Sequence, residues 1–301
     1  MTRKPPRPLS RAVAALVALA PLVACSGAAV VDALTPHSGY TVERDLAYGD
    51  DPRQRLDLYR PAAAASEAPL VVFFYGGNWQ SGAKELYRFV GQAFASRGYL
   101  TAIPDYRLYP QVRFPEFVAD GAAAVAWLSA HEGPRRVLLV GHSAGAYIAA
   151  MLALNQRWLG PAGRDCRPIA AMAGLAGPYD FLPLRDPTLI EVFGPRPAGP
   201  DTQPVAYVRE HAPPMLLATG TADRTVRPAN SSTLARRLDE VGAHAELIEY
   251  PGVGHVAIVA ALAAPLRFLA PVLADVDRFF DSVGCANAGA AQAARTNGTG
   301  R

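Results

Sequence analysis

Arg136-Val137-Leu138-Leu139-Val140-Gly141-His142-Ser143-Ala144-Gly145-Ala146-Tyr147-Ile148 is the stretch whose reading decides the fold. Arg136–Val140 is a short apolar run rich in branched side chains, the pattern of a buried strand. Ala144–Leu154 continues as a helix. Gly-x-Ser-x-Gly lies between them, at the sharp strand-to-helix turn that exposes a serine oxygen for attack. A side chain at 141 or 145 would collide with the neighbouring strand or helix, so glycine is required there. The helix N-terminus behind Ser143 favours the negative charge that develops in acyl transfer.

The flanking sequence repeats the same alternation. Thr41–Tyr48, Arg55–Tyr59, Leu70–Tyr75, Tyr99–Ile103, Ile169–Leu175, Met215–Thr219 and Ala245–Tyr250 read as strands. Lys84–Arg97, Pro115–His131 and Ala229–Val241 read as helices, and Val256–Phe280 as helix broken at Pro265 and Pro271. Short buried strands alternating with helices predict an α/β domain with a mostly parallel sheet covered on both faces. Residues 176–214 break the rhythm with nine prolines, and so long a connection inside a compact domain is usually functional.

Composition sets outer bounds. The chain has 301 residues, 50% hydrophobic and 18% charged, which supports a sizeable core. Its 26 Gly and 27 Pro exclude a long coiled coil. Arg3, Lys4, Arg7 and Arg11 outweigh the whole net charge of +3, so the remainder is near neutral and offers no nucleic-acid partner a basic stripe.

Residues 1–24 have a basic start, an apolar run at 12–20 and small residues at the end, the layout of a secretory signal. Leu22-Val23-Ala24-Cys25 resembles the lipobox of bacterial lipoproteins, which implies cleavage before Cys25 and a lipid on its sulfur. The alternative is a plain secretory cut near Ala24. The expected organisation is a signal at 1–24, a lipid-anchor linker at 25–40, a domain at 41–285 with a cap-like insert at 176–214, and a disordered tail at 286–301. The expected location is the periplasmic side of a bacterial membrane, anchored by lipid, or a soluble periplasmic or secreted state. Cys166 and Cys285 either form one disulfide or are unrelated thiols.

A serine nucleophile needs a base and an acid, in the chain order Ser, acid, His for this kind of fold. His255 follows the last strand in the glycine-rich Pro251-Gly252-Val253-Gly254-His255, which suits presentation at the sheet edge. His244 precedes that strand, and His211 lies in the insert. Asp223 follows Met215–Thr219 and shares that edge, whereas Asp180, Asp186 and Asp201 fall in the insert. Tyr75-Gly76-Gly77-Asn78-Trp79 follows another strand, so N–H groups at Gly77 and Asn78, with that of Ala144, are candidates for an oxyanion hole. His142 and Trp79 are candidate substrate contacts, Trp79 equally a core residue. No metal-ligand or phosphate-loop pattern occurs, so no metal or cofactor is expected.

Together these segments resemble the α/β-hydrolase fold, in particular carboxylesterases of the hormone-sensitive-lipase-like group and the small esterase and aryl-formamidase branch. Pro104-Asp105-Tyr106-Arg107-Leu108-Tyr109-Pro110 and Gly177-Pro178-Tyr179-Asp180 add to the likeness, which covers roughly residues 41–283. The glycine loop departs from the group in having Tyr75 where its usual residue is His. The resemblance assigns that side chain to loop support. It implies a small-molecule carboxylic ester as substrate, cleaved through Ser143, Asp223 and His255. The alternatives are an aryl-formamidase or amidase, and a catalytically silent surface-anchored binding protein.

Overall fold

The computed structural model describes residues 27–63, 67–159, 169–194 and 198–283. The signal at 1–24, Cys25, Cys166, Cys285 and the tail at 286–301 lie outside the described residues.

The fold is built on one eight-stranded sheet. Its strands are β1 Tyr40–Ala47, β2 Arg55–Pro61, β3 Leu70–Phe74, β4 Leu100–Pro104, β5 Val137–His142, β6 Ile169–Leu175, β7 Met215–Gly220 and β8 Ala245–Tyr250. They lie in the order β1-β2-β4-β3-β5-β6-β7-β8. β1 and β2 pair antiparallel and form one edge; from β4 to β8 every pairing is parallel. β3 and β5 are buried at every residue, which is why they read as continuous apolar runs rather than alternating ones.

The helices are α1 Gly27–Leu34, α2 Arg88–Ala95, α3 Glu116–Glu132, α4 Ala144–Leu154, α5 Pro187–Val192, α6 Ala229–Glu240 and α7 His255–Ala260, followed by α8 over 272–283. Neighbouring residues of a strand point to opposite faces. Accordingly Phe73 meets Tyr87, just ahead of α2, while the ring of Phe74 lies against α3 at Gly121. α4 is buried on every side, as a helix apolar all round must be.

The stretch expected as one helix over Lys84–Arg97 divides into a 3-10 turn, Lys84–Tyr87, and α2. Lys84 is pulled inward there. Its Nζ is 3.0 Å from the wholly buried Asp57 of β2, 2.7 Å from Asp45 and 2.6 Å from Glu85. Within the stretch expected as a linker, α1 is held by Arg88, whose Nε donates to Asp32 Oδ1 at 2.6 Å. The insert is tied at several points. The Asn230 side chain accepts from the N–H groups of Tyr179 and Asp180, and Gln203 Oε1 accepts from that of Phe181. Tyr147 of α4 donates to the Thr202 carbonyl.

Candidate active site

β5 ends at His142, and Ser143 stands in the turn to α4 with φ 54°. A positive φ on a non-glycine residue is strained and lifts the side chain clear of the chain. The flanking glycines allow the turn to close. A Cβ on Gly145 would sit 2.0 Å from the Phe74 carbonyl oxygen, and one on Gly141 2.4 Å from that of Gly145. A side chain at 145 would push the turn off β3, and one at 141 would push it off the start of α4.

Two further parallel strands deliver the other polar groups to the same sheet edge. Asp223 follows β7, and His255 opens α7 beyond β8. His255 Nε2 lies 2.9 Å from Ser143 Oγ, and its Nδ1 lies 2.7 Å from Asp223 Oδ2. A carboxylate only accepts, so Nδ1 carries the ring proton and Nε2 presents a lone pair to the serine hydroxyl. The other oxygen of Asp223 accepts from the N–H groups of Thr225 at 2.8 Å and Val226 at 2.9 Å, which fixes the carboxylate plane. The structure thus brings the three expected residues into one hydrogen-bonded chain.

The glycine loop lies beside them: a Cβ on Gly76 would stand 2.9 Å from Ser143 Cβ. Asn78 and Trp79 have φ of 53° and 60°, two successive left-handed residues. Among the described residues, the N–H groups of Gly77 and Asn78 donate no hydrogen bond. That of Ala144, at the first position of α4, belongs to the donors that an α-helix leaves unpaired.

Tyr75 anchors this loop. Its hydroxyl donates to Asp105 Oδ1 at 2.5 Å and accepts from Arg53 at 2.9 Å, and its ring stacks between Tyr87 and Tyr106. The same carboxylate accepts from the Lys84 N–H, so both ends of the loop close on Asp105. Burial raises the Asp105 pKa against the opposing pull of the Tyr75 hydroxyl and Arg53. Asp105 lies in a segment whose likeness to the esterase group is legible; Arg53 carried no sequence signal.

The two candidate substrate contacts are both buried. Trp79 is 3% exposed and packed among Phe117, Tyr147, Phe181 and Phe193, so it is core. The insert supplies Phe181 and Phe193 to that cluster and so shapes the ground behind the glycine loop. His142 is buried beside His255, with ring centroids 4.9 Å apart. Its Nε2 donates to the His255 carbonyl at 2.9 Å, and its Nδ1 is buried without a partner. It therefore braces the backbone that carries the base.

Burial, with the nearby His255 ring, lowers the His142 pKa from 6.5 to about 4. The unfolded chain therefore takes up a proton near pH 6.5 that the folded one refuses until about pH 4. The stability contribution of this residue is full above pH 6.5 and falls by about 3 kcal/mol as the pH drops through that window. His142→Gln keeps a donor and cannot titrate. Urea melts from pH 7 to 4 will show a shallower loss of stability in the variant than in the parent; parallel profiles would refute this.

The BD-FAE family profile matches residues 56–238. Isoprenylcysteine alpha-carbonyl methylesterase ICME of Arabidopsis thaliana is 33% identical over 253 residues, covering 75% of this chain and 58% of the relative. Kynurenine formamidase of Drosophila melanogaster is 29% identical over 166 residues, covering 54% and 53% of the two chains. This chain thus spans less than two thirds of the length of these curated relatives. Among solved structures, the apo form of Thermogutta terrifontis esterase 2 superposes with a TM-score of 0.67 at 26% identity, covering 83% of this chain and 96% of that one. With its parallel sheet, its Gly-His-Ser-Ala-Gly turn and this family match over most of the sheet, the chain belongs to the BD-FAE family and has the α/β-hydrolase fold.

Proposed function

We propose that the protein is a serine hydrolase of carboxylic esters. The observation that carries this reading is the unbroken chain from Ser143 Oγ through His255 to Asp223, at 2.9 and 2.7 Å. His255 Nε2 takes the hydroxyl proton as Ser143 Oγ attacks the ester carbonyl. The N–H groups of Gly77, Asn78 and Ala144 hold the oxyanion, where losing one such donor costs about 3–4 kcal/mol of barrier. His255 then protonates the leaving alcohol. Water repeats the cycle on the acyl-enzyme, with Asp223 balancing the imidazolium each time.

Relatives named as a methylesterase and as a formamidase support one acyl-transfer machinery with two leaving groups. The ester reading is the stronger, since the methylesterase likeness spans three quarters of this chain and the formamidase likeness about half. Hydrolysis of nitrophenyl acetate compared with N-formylkynurenine decides between them: a higher kcat/KM on the amide would overturn the ester assignment. A fluorophosphonate probe tests the machinery itself. Failure to label the protein, or equal labelling of Ser143→Ala, would favour a silent binding protein.

The proposal extends to location. The basic and apolar segment at 1–24 supports export, and Leu22-Val23-Ala24-Cys25 supports a lipid on Cys25 that holds the enzyme at the periplasmic side of a bacterial membrane. Several acyl chains, at roughly 0.8 kcal/mol per buried CH₂, give a lasting anchor.

A further inference from the structure

Large apolar side chains exposed singly on a surface are ordinary, whereas a cluster of them is not. Among the described residues seven such side chains are exposed; one lies on α1 and three lie on or just after turns that touch α1. Leu34 at the end of α1 is 60% exposed, and Leu86 on the 3-10 turn Lys84–Tyr87 is 52% exposed. Phe268 is 80% exposed and Leu269 38%. These last two follow the short turn Ala264–Leu266, which touches α1, as does the turn carrying Leu86.

Asp32 pairs with Arg88, while Glu85 shares the Lys84 ammonium with Asp45 and Asp57. α1 is firmly set rather than trailing, since Arg88 also donates to the Asp32 carbonyl and lies 2.9 Å from His37 Nδ1.

The chain outside the described residues says what covers this face. Cys25 stands two residues before Gly27, the first residue of α1. At no more than about 3.6 Å per residue, its sulfur cannot stray far from the helix. An acyl group there would bring α1 down onto the bilayer, with no linker long enough to hold the domain away from it.

We propose that the face formed by α1, the turn Lys84–Tyr87 and the loop at 267–269 lies on the surface of a phospholipid bilayer, with Leu34, Leu86, Phe268 and Leu269 entering its headgroup boundary. The inference rests on the acyl anchor at Cys25 proposed above. It adds a fixed orientation: the domain is seated on the membrane, not tethered above it.

Phe268→Trp in the full chain tests it, because the exposed site accepts the ring without repacking. The protein is bound to vesicles of phosphatidylglycerol and phosphatidylcholine, with and without bromine on the acyl chains. Brominated lipid should quench the emission that Phe268→Trp adds over the parent by about half, while Arg236→Trp on α6 stays unquenched. Persistence of the quenching in a Cys25→Ser background would also support the face, as one that binds lipid unaided. Flotation of the parent with the vesicles but no quenching at 268 overturns this inference and leaves the anchor standing. Absence of both flotation and quenching overturns the two together.

Discussion

Ser143→Ala will lower kcat on a nitrophenyl ester by about 10⁴–10⁶-fold while leaving the fold intact. The oxygen removed is the one that sits 2.9 Å from His255 Nε2. Nothing else in the strained turn replaces it, because His142 on one side is buried beneath the base and Ala144 on the other carries only a methyl group. Alanine also fits the space, since it deletes one atom and adds none. The variant should keep its circular-dichroism spectrum and its urea midpoint and lose fluorophosphonate labelling. The residual rate over water would come from the N–H groups at Gly77, Asn78 and Ala144. Retention of a tenth or more of the parent kcat would remove Ser143 from the mechanism.

The second large effect concerns stability. Lys84→Met will destabilise the protein by about 3–5 kcal/mol, because it strands a carboxylate inside the fold. Asp57 is wholly buried, and the Lys84 ammonium is the close cation facing it. Arg44 reaches it only at 3.4 Å from a largely exposed position. Burial opposes the charge on Lys84, yet the hydrogen bonds to Asp45, Glu85 and Asp57 outweigh it and raise the Lys84 pKa above the usual range. The cost should therefore come from the unpaired anion and not from lost packing. Lys84→Met combined with Asp57→Asn removes both charges and should recover most of the loss in urea melts. If the double variant were no better than the single one, the buried ion pair would not be the cause.

The parallel strands were legible because a strand buried on both faces shows a continuous apolar run, as Leu70–Phe74 and residues 137–140 do. The nucleophile turn was legible for a steric reason: Gly141 and Gly145 approach backbone so closely that no other residue fits. Helix Gly27–Leu34 was not legible. Eight residues form no stable helix alone, and what fixes this one is Arg88, more than fifty positions away. The break between Lys84–Tyr87 and α2 was hidden for a similar reason, since a lysine in a helical pattern reads as solvated until its buried partner on β2 is known. The bracing contact of His142 was not legible because its neighbour in sequence is Ser143, whereas its partner in space is the carbonyl of a residue 113 positions later. Local pattern reports periodicity and turn chemistry; it does not report which distant backbone group a side chain will meet.

The strand order has one more implication, for the newborn chain. Ser143 and Asp223 hang from β5 and β7, but their hydrogen-bonding partner His255 comes only after β8, the outermost strand of the sheet. A polypeptide emerging from the ribosome or threading through a translocation pore holds a serine with nothing to deprotonate it until almost the whole domain has emerged. If the proposed function holds, hydrolysis therefore waits on the addition of β8, the last strand of the sheet.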